Sequence, residues 1–69
     1  MTAKELKEAV TEIMCCHCRT KKEPGLWRVQ TTTATITDEE LRRIKERLGV
    51  TGLVGVCTDG ENLVLLFPI

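Results

Sequence analysis

Residues 37–69, TDEELRRIKERLGVTGLVGVCTDGENLVLLFPI, decide the fold, because they read as one capped helix followed by one tight hairpin. The helix begins at a capping box, in which the side chains of Thr37 and Glu40 can each accept a hydrogen bond from the other residue's backbone N–H. Gly49 supplies the left-handed residue at which such a helix ends. The signals at both ends agree, so this half of the chain predicts a helix with defined bounds.

The hairpin is predicted from two apolar runs, 50–57 and 63–67, that flank Asp59-Gly60, a dipeptide typical of two-residue β-turns. If Asp59 and Gly60 are the central turn residues, both faces of the hairpin are apolar. A sheet with one solvated face would instead alternate apolar and polar residues. One face carries Val54, Val56, Leu63, Leu65 and Phe67, and the other carries Leu53, Gly55, Cys57, Val64 and Leu66.

The N-terminal half predicts a second helix and a strand. Its first residues, TAKE, repeat the capping-box pattern, and apolar residues then recur at helical spacing as far as residue 15 or 16. After a Pro-Gly turn, residues 26–35 read as a strand that is rich in threonine. Because a buried hydroxyl needs a hydrogen-bond partner, we expect the middle of this strand to be partly exposed to solvent. An alternative makes residues 13–20 a further strand, paired with the one from Leu26 around the Pro-Gly turn.

The order of elements is therefore helix, strand, helix, strand, strand. A strand-helix-strand connection within one sheet is usually a right-handed crossover, which would make the first two strands parallel. The sequence thus predicts an α+β fold, in which two helices pack on a three-stranded mixed sheet that ends in a C-terminal β-hairpin. The 69 residues allow one small domain, residues 1–69, with a marginal core that usually needs a partner, a metal or a disulfide.

Composition excludes several classes of function. Ten basic and ten acidic residues cancel, so the chain as a whole has no net field that would steer it onto nucleic acid or an anionic membrane. No apolar run approaches the ~20 residues that span a bilayer, so no membrane partner is expected. Three of the four cysteines fall within residues 15–18, a spacing that suits reduced thiols better than a disulfide framework. We therefore expect a soluble, cytoplasmic protein.

The hairpin leads to the main functional prediction. Two short helices can cover one of its apolar faces, and a second copy of the chain is the simplest cover for the other. We predict a small, non-enzymatic interaction or regulatory module, which forms a homo-oligomer or binds a protein partner through its C-terminal hairpin. The predicted interface consists of Val54, Val56, Leu63, Leu65 and Phe67.

An alternative is a zinc-binding or thiol-redox protein centred on Cys15 and Cys18, which have C-x-x-C spacing. A structural zinc needs four ligands. Cys57 could add a third, or two chains could share one metal, each giving Cys15 and Cys18. An activated thiolate favours a helix N-terminus, whereas these cysteines fall at a helix C-terminus. We therefore favour cysteines as small apolar side chains in the packing and expect no cofactor. His17 has no nucleophile or orienting acid near it in sequence, so no catalytic residue is predicted.

A second alternative is a weak single-stranded nucleic-acid binder. Lys21, Lys22, Trp27 and Arg28 combine positive charge with one aromatic ring on which a base could stack. One aromatic residue is little for a stacking surface. We therefore favour Trp27 as a core residue and the cations as a solvated loop, and nucleic acid is not the favoured partner.

Overall fold

The computed structural model of the protein describes residues 1–68, in which two helices lie against one face of a four-stranded sheet. The strand order across the sheet is β1-β2-β4-β3, and every neighbouring pair is antiparallel. The elements in chain order are α1 (Ala3–Met14), β1 (Cys18–Glu23), β2 (Leu26–Thr31), α2 (Asp38–Leu48), β3 (Gly55–Asp59) and β4 (Asn62–Pro68).

The N-terminal helix is shorter than predicted. Half of its predicted capping box forms, since the Thr2 hydroxyl accepts a hydrogen bond from the Glu5 backbone N–H at 3.2 Å. The Glu5 carboxylate accepts from the Thr2 hydroxyl at 3.1 Å instead of from the Thr2 backbone N–H. The helix then ends at Met14, because Cys15 adopts a left-handed conformation with φ of 54°. Non-glycine residues rarely adopt this conformation, so the sequence carries no signal for the exit. The early exit leaves the residues from Cys18 onward free to form a strand.

The prediction of a three-stranded mixed sheet is wrong, although the α+β class is confirmed. The added strand is β1, which pairs antiparallel with β2 around the Pro24-Gly25 turn, where Gly25 has φ of 78°. This is the pairing of the alternative interpretation, with the strand displaced to Cys18–Glu23. Strands β2 and β3 do run in the same direction. However, β4 lies between them, so they form no parallel pair.

The C-terminal hairpin forms with a register different from the predicted one. Asp59 pairs with Asn62, so the two loop residues are Gly60 and Glu61 rather than Asp59 and Gly60. Gly60 has φ of 66°, a conformation that favours glycine. The register moves by an even number of residues. The two predicted faces of the hairpin are therefore preserved, with Val56 opposite Leu65 on the side of the helices.

The core lies between the helices and one sheet face. The capping box of α2 is present, with the Glu40 carboxylate 2.9 Å from the Thr37 backbone nitrogen. An ion pair between Glu12 and Arg47 joins the two helices. The buried cluster consists of Leu6, Val10, Met14, Cys18, Val29, Ile44, Leu63, Leu65 and Phe67.

The threonine at the end of β2 is more deeply buried than the sequence predicted. It ends at Thr31, which is 1% exposed, and the segment to residue 35 continues as a loop. The Thr31 hydroxyl donates to the Leu63 carbonyl oxygen at 2.9 Å, so the cost of burying the hydroxyl is offset by a hydrogen bond. Burial of Thr31 is thus compatible with its polarity.

Within the described residues, neither α1 nor α2 has the length and apolar content that a membrane-crossing helix requires.

Candidate functional site

Three residues of the predicted interface lie inside the protein. Leu63, Leu65 and Phe67 are at most 5% exposed, because α1 and α2 cover the face of β4 from which they project. A partner could reach them only by displacing the helices. From the predicted set, Val54 is half-buried and Val56 is 46% exposed. The hairpin face itself is therefore mainly core, and its accessible part lies towards β3.

The opposite face of the hairpin has no covering layer of helices, yet little of it is open apolar surface. Val64 alternates with the core residues of β4 and so points to this outer face, where it is nevertheless fully buried. Its cross-strand neighbours are Gln30 and Cys57. Arg28 reaches across β4 to Asp59, with 3.6 Å between Nη2 and Oδ2. Long polar side chains of neighbouring strands thus shield the apolar residue without a second subunit.

The remaining apolar exposure lies at one edge of the sheet. All five residues of β3 are exposed, since the strand is outermost and the helices do not extend over it. Leu53, just before the strand, is 91% exposed. Together with Val56, it places two of the three exposed large hydrophobic residues of the described chain at this edge. We call the strand with Leu53 and Val54 the β3 edge.

The backbone of the β3 edge offers unpaired hydrogen-bonding groups. The Leu63 N–H donates to the Thr33 carbonyl oxygen at 2.8 Å, so the Leu63 backbone faces away from β3. In an antiparallel ladder, the backbone N–H and C=O of the residue opposite such a position also point away from the partner strand. Thr58 lies opposite Leu63, and hence the backbone groups of Thr58 and Val56 face outward.

The other edge of the sheet is protected by charge. Strand β1 carries Arg19, Lys21, Lys22 and Glu23 within six residues, and charged side chains oppose pairing with a further strand. By contrast, β3 has no charged residue from Gly55 to Thr58 and no proline. The β3 edge is therefore better suited than β1 to pair with another strand.

The cysteines of the predicted metal site lie apart. Cys15 is exposed and its thiol lies 3.7 Å from the Glu12 carbonyl oxygen, whereas Cys18 is buried beside Thr11. Cys57 is on β3, at the opposite edge from Cys18, and three interstrand spacings amount to about 14 Å. Among residues 1–68, no group of three His, Cys, Asp or Glu side chains could hold a metal ion.

Cys16 differs from its neighbours in a way that the sequence did not indicate. It packs against the core at the end of α1, and this burial raises the pKa of its thiol. The nearby Thr32 backbone acts in the opposite direction and offsets part of the rise. A thiol that holds its proton in this way is a poor nucleophile. The raised pKa lowers the fraction of reactive thiolate at Cys16.

The predicted nucleic-acid residues are divided between two faces of the sheet. Lys21 and Arg28 are paired on the outer face, while Lys22 and Trp27 are paired on the helix side. The Lys22 ammonium lies 5.8 Å from the centre of the Trp27 ring, which packs against the core. The structure therefore does not combine these four side chains in one stacking surface.

His17 is exposed in the segment between α1 and β1, rather than pointing into the core. Its carbonyl oxygen accepts hydrogen bonds from the Thr32 backbone N–H at 3.1 Å and from the Thr32 hydroxyl at 3.3 Å. Within residues 1–68 its imidazole has no hydrogen-bonded acid that would orient it as a base. The observed role of His17 is thus to join two segments through its backbone.

No protein-family model matches the chain, and no curated protein sequence matches it either. Its function must therefore be inferred from the fold and from the surfaces described above.

Proposed function

We propose that the protein is a small interaction module that self-associates by antiparallel pairing of two β3 edges. The observation that carries the proposal is the contrast between β3, which is fully exposed and uncharged from Gly55 to Thr58, and the charged strand β1. Pairing would satisfy the outward backbone groups of Val56 and Thr58, which are a template for a further strand. The two four-stranded sheets would then become one continuous sheet.

A second copy of the chain suits this edge better than a charged peptide. The edge is uncharged from Gly55 to Thr58, so a second uncharged strand meets it without repulsion. Cys57 is the central residue of β3. When two copies of β3 pair antiparallel about a twofold axis, all five residues of each strand are paired only if Cys57 lies opposite Cys57 of the other copy. In that register Val56 faces Thr58 of the other copy, and Asp59 faces Gly55. Like charges are thus kept apart.

The association is expected to be weak and dependent on concentration. A stable interface usually buries roughly 800 Å² per partner, which is more than one short strand provides. The apolar side chains of Leu53 and Val56, exposed at 91% and 46%, would supply the additional buried area. Such a module could assemble and dissociate in response to its own concentration, which suits a regulatory role.

The free state of the four cysteines is compatible with a reducing compartment such as the cytoplasm, and cytoplasmic location is part of this proposal. That the module is not an enzyme and needs no cofactor also stays a prediction. The isolation of His17 from any orienting acid in the described chain supports it.

Sedimentation equilibrium tests the proposal with Val56→Lys. A lysine at the half-exposed position 56 keeps its charge in water in the monomer but would be placed within the paired edges of the dimer. We expect the wild type to show monomer and dimer across about 10 μM to 1 mM, and the variant to remain monomeric.

Val56→Thr is the matched control, because it keeps the branched strand-forming shape without adding charge. We expect it to dimerise nearly as well as the wild type. A wild type that stays monomeric throughout, or a Val56→Lys variant that dimerises equally well, would exclude the β3 edge as the interface.

A further inference from the structure

A polar groove lies at one end of the sheet, at the margin of the core, where the buried residues Cys18 and Thr31 form part of its lining. It is formed between α1, the start of β1, the end of β2 and the start of β4, and its volume is about 540 Å³. No acidic residue lines it in the described part of the chain. Its polar lining consists of Lys7, His17, Arg19, Gln30, Thr31, Thr32 and Asn62.

The positive charges of the groove have no partners within the chain. Among residues 1–68, Lys7 and Arg19 form no ion pair, whereas Arg42 and Arg47 are paired with glutamates of the helices. Within this part of the chain, three arginines, Arg28, Arg42 and Arg47, form the ion pairs. Lys7 and Arg19 differ from the other unpaired cations because they line one cavity that no acidic residue of the described chain lines. The groove is thus a local concentration of unbalanced positive charge, which attracts an anion.

Several N–H donors accompany the two cations. The side-chain amides of Gln30 and Asn62 and the imidazole of His17 make no hydrogen bond to protein atoms within the described residues. Each of these groups can donate a hydrogen bond to an oxyanion. The guanidinium of Arg19 adds a planar pair of donors that matches two oxygens of one phosphate or carboxylate.

The floor of the groove is fixed by hydrogen bonds between separate segments. The Thr32 N–H donates to the His17 carbonyl oxygen at 3.1 Å, and this bond joins the segment after α1 to the residue that follows β2. The buried Thr31 hydroxyl donates to the Leu63 carbonyl oxygen at 2.9 Å, which joins β2 to β4. The donors therefore project from a framework that does not have to be ordered when an anion binds.

From this arrangement we propose that the groove binds a phosphate group. Two unpaired cations and several N–H donors match the charge and the oxygen atoms of phosphate better than those of a single carboxylate. The phosphate could be a free or monoester phosphate, or one unit of a single-stranded nucleic acid. A second groove, lined by Arg19, Lys21 and Arg28, continues the positive charge along the outer sheet face. This proposal does not depend on pairing of the β3 edges.

The test is an NMR titration of the full-length, ¹⁵N-labelled protein with inorganic phosphate. We expect saturable shifts of the Gln30 and Asn62 side-chain amides. Arg19→Gln and Lys7→Gln should each weaken binding by about fivefold, the upper range for one exposed ion pair. Arg43→Gln and Lys4→Gln make the same charge changes outside the groove and should leave the affinity within about twofold of the wild type. Wild-type-like spectra of the free variants would show that each one folds.

The same titration with a single-stranded oligothymidylate that lacks terminal phosphates distinguishes the two sources. Tighter binding than that of inorganic phosphate, weakened by both Arg19→Gln and Lys21→Gln, supports the site with a nucleic-acid strand as its ligand. Binding of inorganic phosphate without tighter oligonucleotide binding supports the site with a free or monoester phosphate. Absence of saturable shifts with both probes, or equal weakening in the Arg43→Gln and Lys4→Gln controls, would overturn the proposal.

Discussion

Replacement of the buried Thr31 by valine tests how the polar end of β2 is stabilised. The side chain is 1% exposed, and its hydroxyl donates to the Leu63 carbonyl oxygen at 2.9 Å. Thr31→Val keeps the shape but leaves that carbonyl without its donor, a loss that costs about 1–3 kcal/mol. Thr31→Ser keeps the hydroxyl and removes one methyl group, which costs about 0.8 kcal/mol.

These magnitudes are large for a chain of this size. At about 0.05–0.15 kcal/mol per residue, 69 residues give a free energy of unfolding of about 3–10 kcal/mol. Each kcal/mol lost lowers Tm by about 4–8 °C in a domain this small. Urea denaturation followed through the fluorescence of Trp27, the lone tryptophan, measures both variants. A Thr31→Val protein as stable as the wild type, beside a less stable Thr31→Ser, would refute the assigned role of the hydroxyl.

Three further predictions concern the helix cap and the partly buried Cys16 thiol. Thr37→Ala removes the capping-box acceptor of α2 and should lower the free energy of unfolding by about 1 kcal/mol in urea denaturation, while Thr51→Ala in an exposed loop should have little effect. An unchanged stability of Thr37→Ala would contradict the cap. Because burial raises the pKa of Cys16 above its usual 9.0, iodoacetamide should alkylate it more slowly than the exposed Cys15, as peptide mapping would show. The contribution of this shift to stability is intact below pH 9.0 and is lost as the pH rises through the folded-state pKa, so the wild type should lose more stability than Cys16→Ala in that range.

The parts of the fold that depend on neighbouring residues could be predicted from the sequence. The α2 cap needs only Thr37 and Glu40, three residues apart, and both of its hydrogen bonds form. Gly49 ends the helix with φ of 69°. The β3–β4 hairpin was predicted for the same reason. The predicted register differs from the observed one by an even number of residues, and because side chains alternate between faces, each residue stays on its predicted face.

Strand β1 was absent from the favoured prediction, and the alternative placed it too early in the chain, because its stability comes from pairing rather than from its own residues. Its sequence, CRTKKE, has few strong strand formers, and its charges resemble those of a solvated loop. The exit of α1 at Cys15 has no glycine to mark it. What fixes the strand is its antiparallel pairing with β2. The Pro-Gly turn suggested this pairing, but local patterns did not give the bounds of the strand. The extra strand also replaced the predicted three-stranded arrangement.

The accessible surfaces could not be predicted for a related reason. Sequence patterns identified both hairpin faces as apolar, but they could not show that Arg28 and Asp59 would meet across β4. That ion pair lies across the strand that carries the fully buried Val64, whereas the exposed apolar side chains of Leu53 and Val56 lie at the β3 edge. Likewise, Lys7 and Arg19 line one groove only because β1 exists.

Oxidative cross-linking followed by peptide mapping tests the proposed pairing of β3 edges most directly. In the proposed register, the Cα atoms of the two copies of Cys57 would be about 4.5–5.5 Å apart, a separation that a disulfide can bridge. Cys15 is also exposed but lies outside β3, so a disulfide through Cys15 would indicate cross-linking by random collision. We predict a covalent dimer joined through Cys57, which Cys57→Ser abolishes and Cys15→Ser does not. Covalent dimers joined mainly through Cys15, or formed equally well by Cys57→Ser, would contradict association through β3.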